Sequence, residues 1–246
     1  MFSKLPLALN LACAWQLGFD KVEFNMKCVE RESTDCIYTV RRLLGEYGLE
    51  CSSVHAATLH VENESEVPTA IYYGKVSADF VYTLSSPVLV VHSNVSRRLP
   101  TNLRRRFMAQ IFAEIRGYAE RLGVRLALEN LSYASSGFGK NVAEIEEILN
   151  VVDDGSMGLT LDFCHAEATG QTMNILGKFA RRLLNVHLSN RAHRPFAGDS
   201  PRLNEFLLKL EEIGYGGPLT LELSPKSNFE EILKTKIIVQ KTLNRE

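Results

Sequence analysis

Val124-Arg-Leu-Ala-Leu-Glu-Asn130 decides the fold. Side chains along a strand point alternately to opposite faces, so Glu129 shares a face with Ala127 while Leu126 and Leu128 take the other. The division recurs downstream. Asp162 goes with Thr160 and Gly158 against Leu159 and Leu161, His187 with Asn185 against Leu184 and Val186, and Glu222 with Thr220 against Leu219, Leu221 and Leu223. In each run the aliphatic face suits packing beneath helices, and the polar residue turns the other way. His55 and His92 end two earlier apolar runs. Successive gaps from His55 through His92, Glu129, Asp162 and His187 to Glu222 are about 37, 37, 33, 25 and 35 residues, close to one strand-plus-helix unit of a repeated βα chain. The expected fold is a barrel whose lumen gathers these six groups.

Helical patterns alternate strictly with the strand-like runs, as in a mostly parallel α/β protein. Helices are expected near 6–17, 33–48, 69–84, 102–122, 141–152, 172–182, 201–213 and 228–243, and strands near 21–25, 51–55, 87–92, 124–130, 158–163, 183–188 and 218–223. Ser33 or Thr34, Thr101 or Asn102, and Asn141 are candidate N-caps. Gly48, Gly123 and Gly214 suit helix ends, and Pro201 after Ser200 suits a first turn. The strand missing from a set of eight should precede the first helix, where Met1 to Lys4 stand. The prediction is therefore a single (β/α)8 TIM barrel over residues 1–246 whose first strand is short or incomplete. A regular strand of five or more residues before residue 6 would contradict it. The length of 246 residues matches the roughly 250 typical of such barrels.

Twenty-eight Lys and Arg against 29 Asp and Glu leave a formal charge of −1, so no global field draws the chain to nucleic acid or to an acidic membrane. Five cysteines, Cys13, Cys28, Cys36, Cys51 and Cys164, contain no C-x-x-C pair, which argues against a disulfide framework or thiolate zinc and suits a reducing cytoplasm. Leu5 to Trp15, with Lys4 before it, superficially resembles a signal segment, but it reads better as an amphipathic helix ending at Gly18. No run reaches the roughly 18 apolar residues that span a bilayer.

Glu129, Asp162, His187 and Glu222 bring three carboxylates and an imidazole to the barrel end where active sites form. Crowded without a cation, the carboxylates would raise one another's pKa, so a divalent ion is expected there. Oxygen and nitrogen donors suit Mn or Zn first, with Co or Mg as alternatives.

At Leu126-Ala-Leu-Glu-Asn130, Leu159-Thr-Leu-Asp-Phe-Cys-His165, Asn185-Val-His-Leu-Ser189 and Gly214-Tyr-Gly-Gly-Pro-Leu-Thr-Leu-Glu222 the chain resembles the xylose-isomerase-like barrel superfamily. Gly18-Phe-Asp-Lys-Val-Glu-Phe24, Ser53-Val-His55 and Val90-Val-His92 extend the likeness almost end to end. That superfamily includes sugar isomerases and epimerases and the endonuclease IV apurinic-site nucleases. The resemblance implies Glu129, Asp162, His187 and Glu222 as metal ligands, Glu129 and Glu222 as the proton-transfer pair, and His165 as a donor to a substrate oxygen. In the nuclease branch, positions equivalent to His55 and His92 hold a second metal together with the Glu129 equivalent. The chain departs from that branch at Arg191-Ala192-His193, where an Asp-x-His binds a third zinc, and at Asn190, where many relatives have Asp.

Arg97, Arg98, Arg191, Arg194 and Lys226 follow strands and should rim the site. Of these, Arg191, Arg194 and Lys226 are the candidates for gripping a phosphate, because the loops after strands seven and eight often do so in this fold. Glu23 and His193 complete the candidate substrate contacts. Arg104-Arg-Arg106 is expected on the outer face of the fourth helix, Phe138 as a mobile lid or a surface aromatic, and Cys164 as outward and inert. The leading expectation is a metal-dependent isomerase or epimerase of a small sugar, sugar phosphate or polyol. The alternative is an endonuclease IV-like phosphodiesterase acting at abasic DNA sites, for which alone nucleic acid would be a partner. A non-catalytic barrel binding a metal or ligand is a third reading, and a homo-oligomer is compatible with all three.

Overall fold

The computed structural model describes residues 5–28, 36–152 and 155–243. Seven strands, β1 (Lys21–Asn25), β2 (Glu50–His55), β3 (Val88–His92), β4 (Arg125–Glu129), β5 (Gly158–Asp162), β6 (Leu183–Leu188) and β7 (Leu219–Leu221), form one sheet in chain order. Every neighbouring pair is parallel. Parallel neighbours need a crossover between them. It comes from helices α2 (Cys36–Tyr47), α3 (Val67–Thr83), α4 (Thr101–Arg121), α5 (Val142–Val152), α6 (Phe163–Ala168), α7 (Thr172–Phe179) and α8 (Pro201–Glu212), while α1 (Leu7–Gln16) precedes β1 and α9 (Phe229–Leu243) follows β7. The result is a nearly closed α/β TIM barrel. Among the described residues β1 and β7 each pair on one side only, so the gap falls where the first strand was expected. Met1 to Lys4 lie outside the described residues, as do the candidate caps Ser33 and Thr34.

The core is the space between strands and helices. Leu89, Val91, Leu128, Leu159, Leu161, Val186 and Leu188 are completely buried on the outward strand faces, and Ile115, Ile145, Leu203 and Phe206 meet them from the helices. Each such burial is worth about 1.5–3 kcal/mol. The stretch from Leu5 to Trp15 is helical from Leu7 onward, with Leu11 and Ala14 of α1 buried. Asn141 accepts from Glu144 N at 3.0 Å and Ser200 from Leu203 N at 3.4 Å, with Pro201 as the first residue of α8. Thr101 and Asn102 do not cap α4. The helix starts at Thr101, and Pro100 precedes it without a side-chain cap. Among the described residues no helix is long and apolar enough to cross a membrane.

Alternation fails at Leu184. Leu159 pairs with Leu183, but Thr160 pairs with Asn185, so β6 carries an extra residue, and this bulge turns Leu184 into the lumen. There it packs on Val88, Val90 and Ala127, an apolar floor beneath the polar groups. The side chain occupies the space that Gly158 leaves, since a Cβ on Gly158 would stand 2.3 Å from Leu184 Cδ1 and 3.1 Å from the Arg182 carbonyl. Gly158→Ala is expected to overpack the floor and cost about 1–3 kcal/mol. An unchanged denaturant midpoint would contradict that packing.

Candidate metal centre

The strand ends deliver six groups to one place. His55 closes β2, His92 β3, Glu129 β4 and Asp162 β5, while His187 sits in β6 and Glu222 follows β7. Glu129 Oε2 lies 3.3 Å from His55 Nε2 and 3.1 Å from His92 Nε2. Its other oxygen, Oε1, lies 3.5 Å from His187 Nδ1, which is 3.2 Å from Glu222 Oε2. Among the described residues the donor atoms fall into three groups, each within 4.8 Å of one another: His55, His92 and Glu129; Glu129, Asp162, His187 and Glu222; Asp162, His165 and His193. Glu129 belongs to the first two groups and Asp162 to the last two.

The third group brings His165 and His193 into a role beyond the substrate contact expected of each. His165 Nδ1 stands 3.0 Å from the Asn130 carbonyl, and His193 Nδ1 stands 3.2 Å from the Glu222 carbonyl. A carbonyl only accepts, so both rings carry their proton on Nδ1 and turn an Nε2 lone pair inward. Those two nitrogens are 3.1 Å apart. The turn that aims His193 holds Ala192 and His193 at φ 58° and 53°, a left-handed conformation that non-glycine residues adopt only where the surroundings impose it.

Both oxygens of Glu129, Asp162 Oδ2, His92 Nε2, His187 Nδ1 and Glu222 Oε2 are buried without a well-formed hydrogen bond. Orphaned buried donors and acceptors are costly, and a cation at the centre of such a set would satisfy them. The donor chemistry therefore fits divalent metal. The charges express the same tension. Burial and the charges of Glu222 and Glu129 push Asp162 well above the usual carboxylate range. Burial would also raise Glu129, but the charges of His92 and His187 outweigh it and hold this group well below. Glu222, whose Oε2 is buried although the side chain is partly exposed, is held down at about 2, chiefly by the charge of His187.

Burial would lower His55, yet the Glu129 carboxylate 3.3 Å from its Nε2 and the other carboxylates around it lift it to about 9. Because the shift is upward, the stability that the metal-free His55–Glu129 pair contributes is complete below about 6.5 and is lost as pH rises through about 9. An ion held by His55 would have to displace that proton, so Zn²⁺ affinity is expected to tighten as pH rises towards about 9. Affinity that stays flat with pH in a chelator competition would contradict this.

Support for the site comes from Asn130, to which the sequence pattern assigns no role. The Asn130 side chain accepts from Asp162 N at 2.8 Å and donates to Asp162 O at 3.1 Å, clamping the end of β5 to the end of β4. Asp162 in turn accepts from His165 N at 2.5 Å and starts α6, a helix the sequence reading did not anticipate. The signal for Asn130 was its place next to Glu129. Glu23 reaches the cavity wall, and its Oε2 is 3.0 Å from His187 Nε2.

A cavity of about 1100 Å³ opens beside Glu222 and His193 and continues past Phe19, Leu219 and Leu221 into the gap between β7 and β1. Arg191, Arg194 and Lys226 are exposed on the loops flanking it, and none forms an ion pair with a described residue. Arg97 is paired with Glu144. Arg104 is not on a solvated face. It is buried, reaches Glu147, and stacks 4.1 Å over Phe138. Phe138 is 7% exposed and is not a surface aromatic. Cys164 is a buried free thiol outside all three groups.

A sequence model of the family described as xylose isomerase-like TIM barrel matches residues 11–241. An uncharacterized protein of Methanocaldococcus jannaschii is 27% identical over 173 residues, 66% of this chain and 58% of that one. A probable endonuclease 4 of Halothermothrix orenii is 35% identical over 92 residues, 35% of this chain and 31% of that one. The chain thus spans less than two thirds of the length of these curated relatives. Among solved structures, a D-tagatose 3-epimerase-like protein superposes with a TM-score of 0.79 at 24% identity, covering 92% of this chain and 89% of that one. The 3-keto-D-glucoside 4-epimerase of E. coli gives 0.82 at 15%, covering 98% and 97%. The IOLI protein with a bound zinc atom gives 0.76 at 19%, covering 98% and 94%.

Proposed function

Because the chain belongs to the xylose isomerase-like TIM barrel family, we propose that it is a metal-dependent phosphoesterase whose centre holds at least two divalent ions bridged by Glu129, Zn or Mn first. Phosphodiesters at abasic sites in DNA are the first substrate class to test. One observation carries this reading: the two oxygens of Glu129 face different sets of histidines, His55 and His92 on one side and His187 on the other. With an ion held on each side, Glu129 would have no oxygen free to shuttle a substrate proton. His55, His92 and Glu129 would hold one ion, and Glu129, Asp162, His187 and Glu222 another. Two ions held there would supply an activated water and steady a leaving oxygen. Asn130 keeps Asp162 in place, and the unpaired Arg191, Arg194 and Lys226 supply the positive rim that a phosphate requires. The likeness to a probable endonuclease 4 supports the same class.

A second reading, a single-ion isomerase or epimerase of a small sugar, is favoured by the quartet of Glu129, Asp162, His187 and Glu222. It is a complete donor set by itself, and the epimerase-like neighbours support it. Two assays separate the readings: incision of duplex DNA carrying one abasic site, and solvent deuterium exchange into small ketoses. Incision that disappears in His92→Ala, with no exchange into sugars, is expected. Exchange without incision, unaffected by His92→Ala, would overturn the phosphoesterase reading in favour of the second.

A further inference from the structure

We propose that Glu23 is a positioning residue that fixes the tautomer of His187, a role that rests on the ligand set proposed above. Glu23 stands on β1 with its side chain only 7% exposed, and it spans the lumen to β6. One oxygen, Oε2, meets three donors: Ser53 Oγ at 2.6 Å, Asn185 Nδ2 at 2.9 Å and His187 Nε2 at 3.0 Å. The orientation of Asn185 is settled, because Val186 N–H donates to its Oδ1 at 2.9 Å, which leaves the amide NH₂ facing Glu23.

A carboxylate accepts and never donates, so Glu23 keeps a proton on His187 Nε2. In the neutral ring, the form that can ligate a metal, the lone pair then sits on Nδ1, the nitrogen that faces Glu222 Oε2 at 3.2 Å and Glu129 Oε1 at 3.5 Å. Without Glu23 the geometry reverses. Asn185 Nδ2 is also 3.0 Å from His187 Nε2, and with no competing acceptor it donates there, drives the proton to Nδ1 and closes the ligand position. Partners of this kind on a ligating histidine set ring orientation and basicity, and their loss costs about 10–100-fold in metal affinity. The polar pair Ser53 and Asn185 thus serves to hold Glu23, and Glu23 to hold His187.

The experiment uses the full chain with ¹⁵N-labelled histidine and ¹¹³Cd²⁺ as the probe, following cadmium coupling to the ring nitrogens, protection of the ring proton and cadmium affinity by chelator competition. In the wild type, coupling at His187 Nδ1 and a protected proton on Nε2 are expected. In Glu23→Gln, whose amide can donate, affinity should fall about 10–100-fold and protection should vanish while the circular dichroism is unchanged. Glu23→Asp, which withdraws the carboxylate by one methylene, should show the same loss. Wild-type affinity together with an unchanged Nδ1 coupling in both variants would overturn the positioning role. Absence of any cadmium coupling to His187 in the wild type would instead overturn the ligand set itself, so the two failures are read apart.

Discussion

If Glu129 is shared between two metal sites as proposed, Glu129→Gln is expected to weaken metal binding at both and lower turnover by well over 100-fold. Loss of a partner that merely orients a ligand costs about 10–100-fold, and Glu129 is itself a donor to two groups. The substitution is nearly isosteric, so the packing of Leu126 and Leu128 on the opposite strand face remains and the variant should fold. The amide nitrogen is the fault. On either side it would meet imidazole nitrogens 3.1 to 3.7 Å away, from His92 and His55 or from His187 and His165, and one of the two metal-facing oxygens is lost. Elemental analysis and steady-state kinetics check this. Full metal content with turnover within a few-fold of wild type would show that Glu129 is not a bridge.

The second large effect is on stability. Phe206 of α8 is completely buried, and its ring lies 5.0 Å from that of Phe163, which is tilted against it. Phe163 follows Asp162 directly and opens α6, the helix that carries His165. Phe206→Ala is therefore expected to cost about 3–5 kcal/mol and to weaken metal binding, because the first turn of α6 loses its backing. Asp162 is tied at both ends, by Asn130 and by His165 N, so part of the ligand geometry should survive in the folded fraction. A change under about 1 kcal/mol in the free energy of unfolding would mean that the site had collapsed around the cavity, the circumstance that reduces such costs.

Alternation of side chains made the centre legible. Once Glu129, Asp162, His187 and Glu222 were read as sharing the inward face, the helices between them left few arrangements other than a parallel barrel, and the residues do converge. Leu184 defeated that reading because a bulge depends on the pairing of β6 with β5, which no single strand's pattern reveals. The helix α6 was missed because it is six residues long, too short for periodicity, and its cap is a residue already read as a ligand. Arg104 looked like surface charge within a run of arginines, and only the tertiary fold shows it lying over Phe138. The contacts of Glu23 with Ser53 and Asn185 join residues 30 and 162 positions apart. No spacing rule reaches that far. His165 and His193 were seen singly, and their meeting depends on a left-handed turn at Ala192 and His193 in a sequence without glycine there.

The most direct test is the number of ions per chain in protein purified without chelator, measured by elemental analysis on the wild type and on His92→Ala. Two or more ions per chain, falling by one in the variant, is the predicted result. One ion per chain, unchanged by His92→Ala, would contradict the bridged centre and leave Glu129 free for proton transfer.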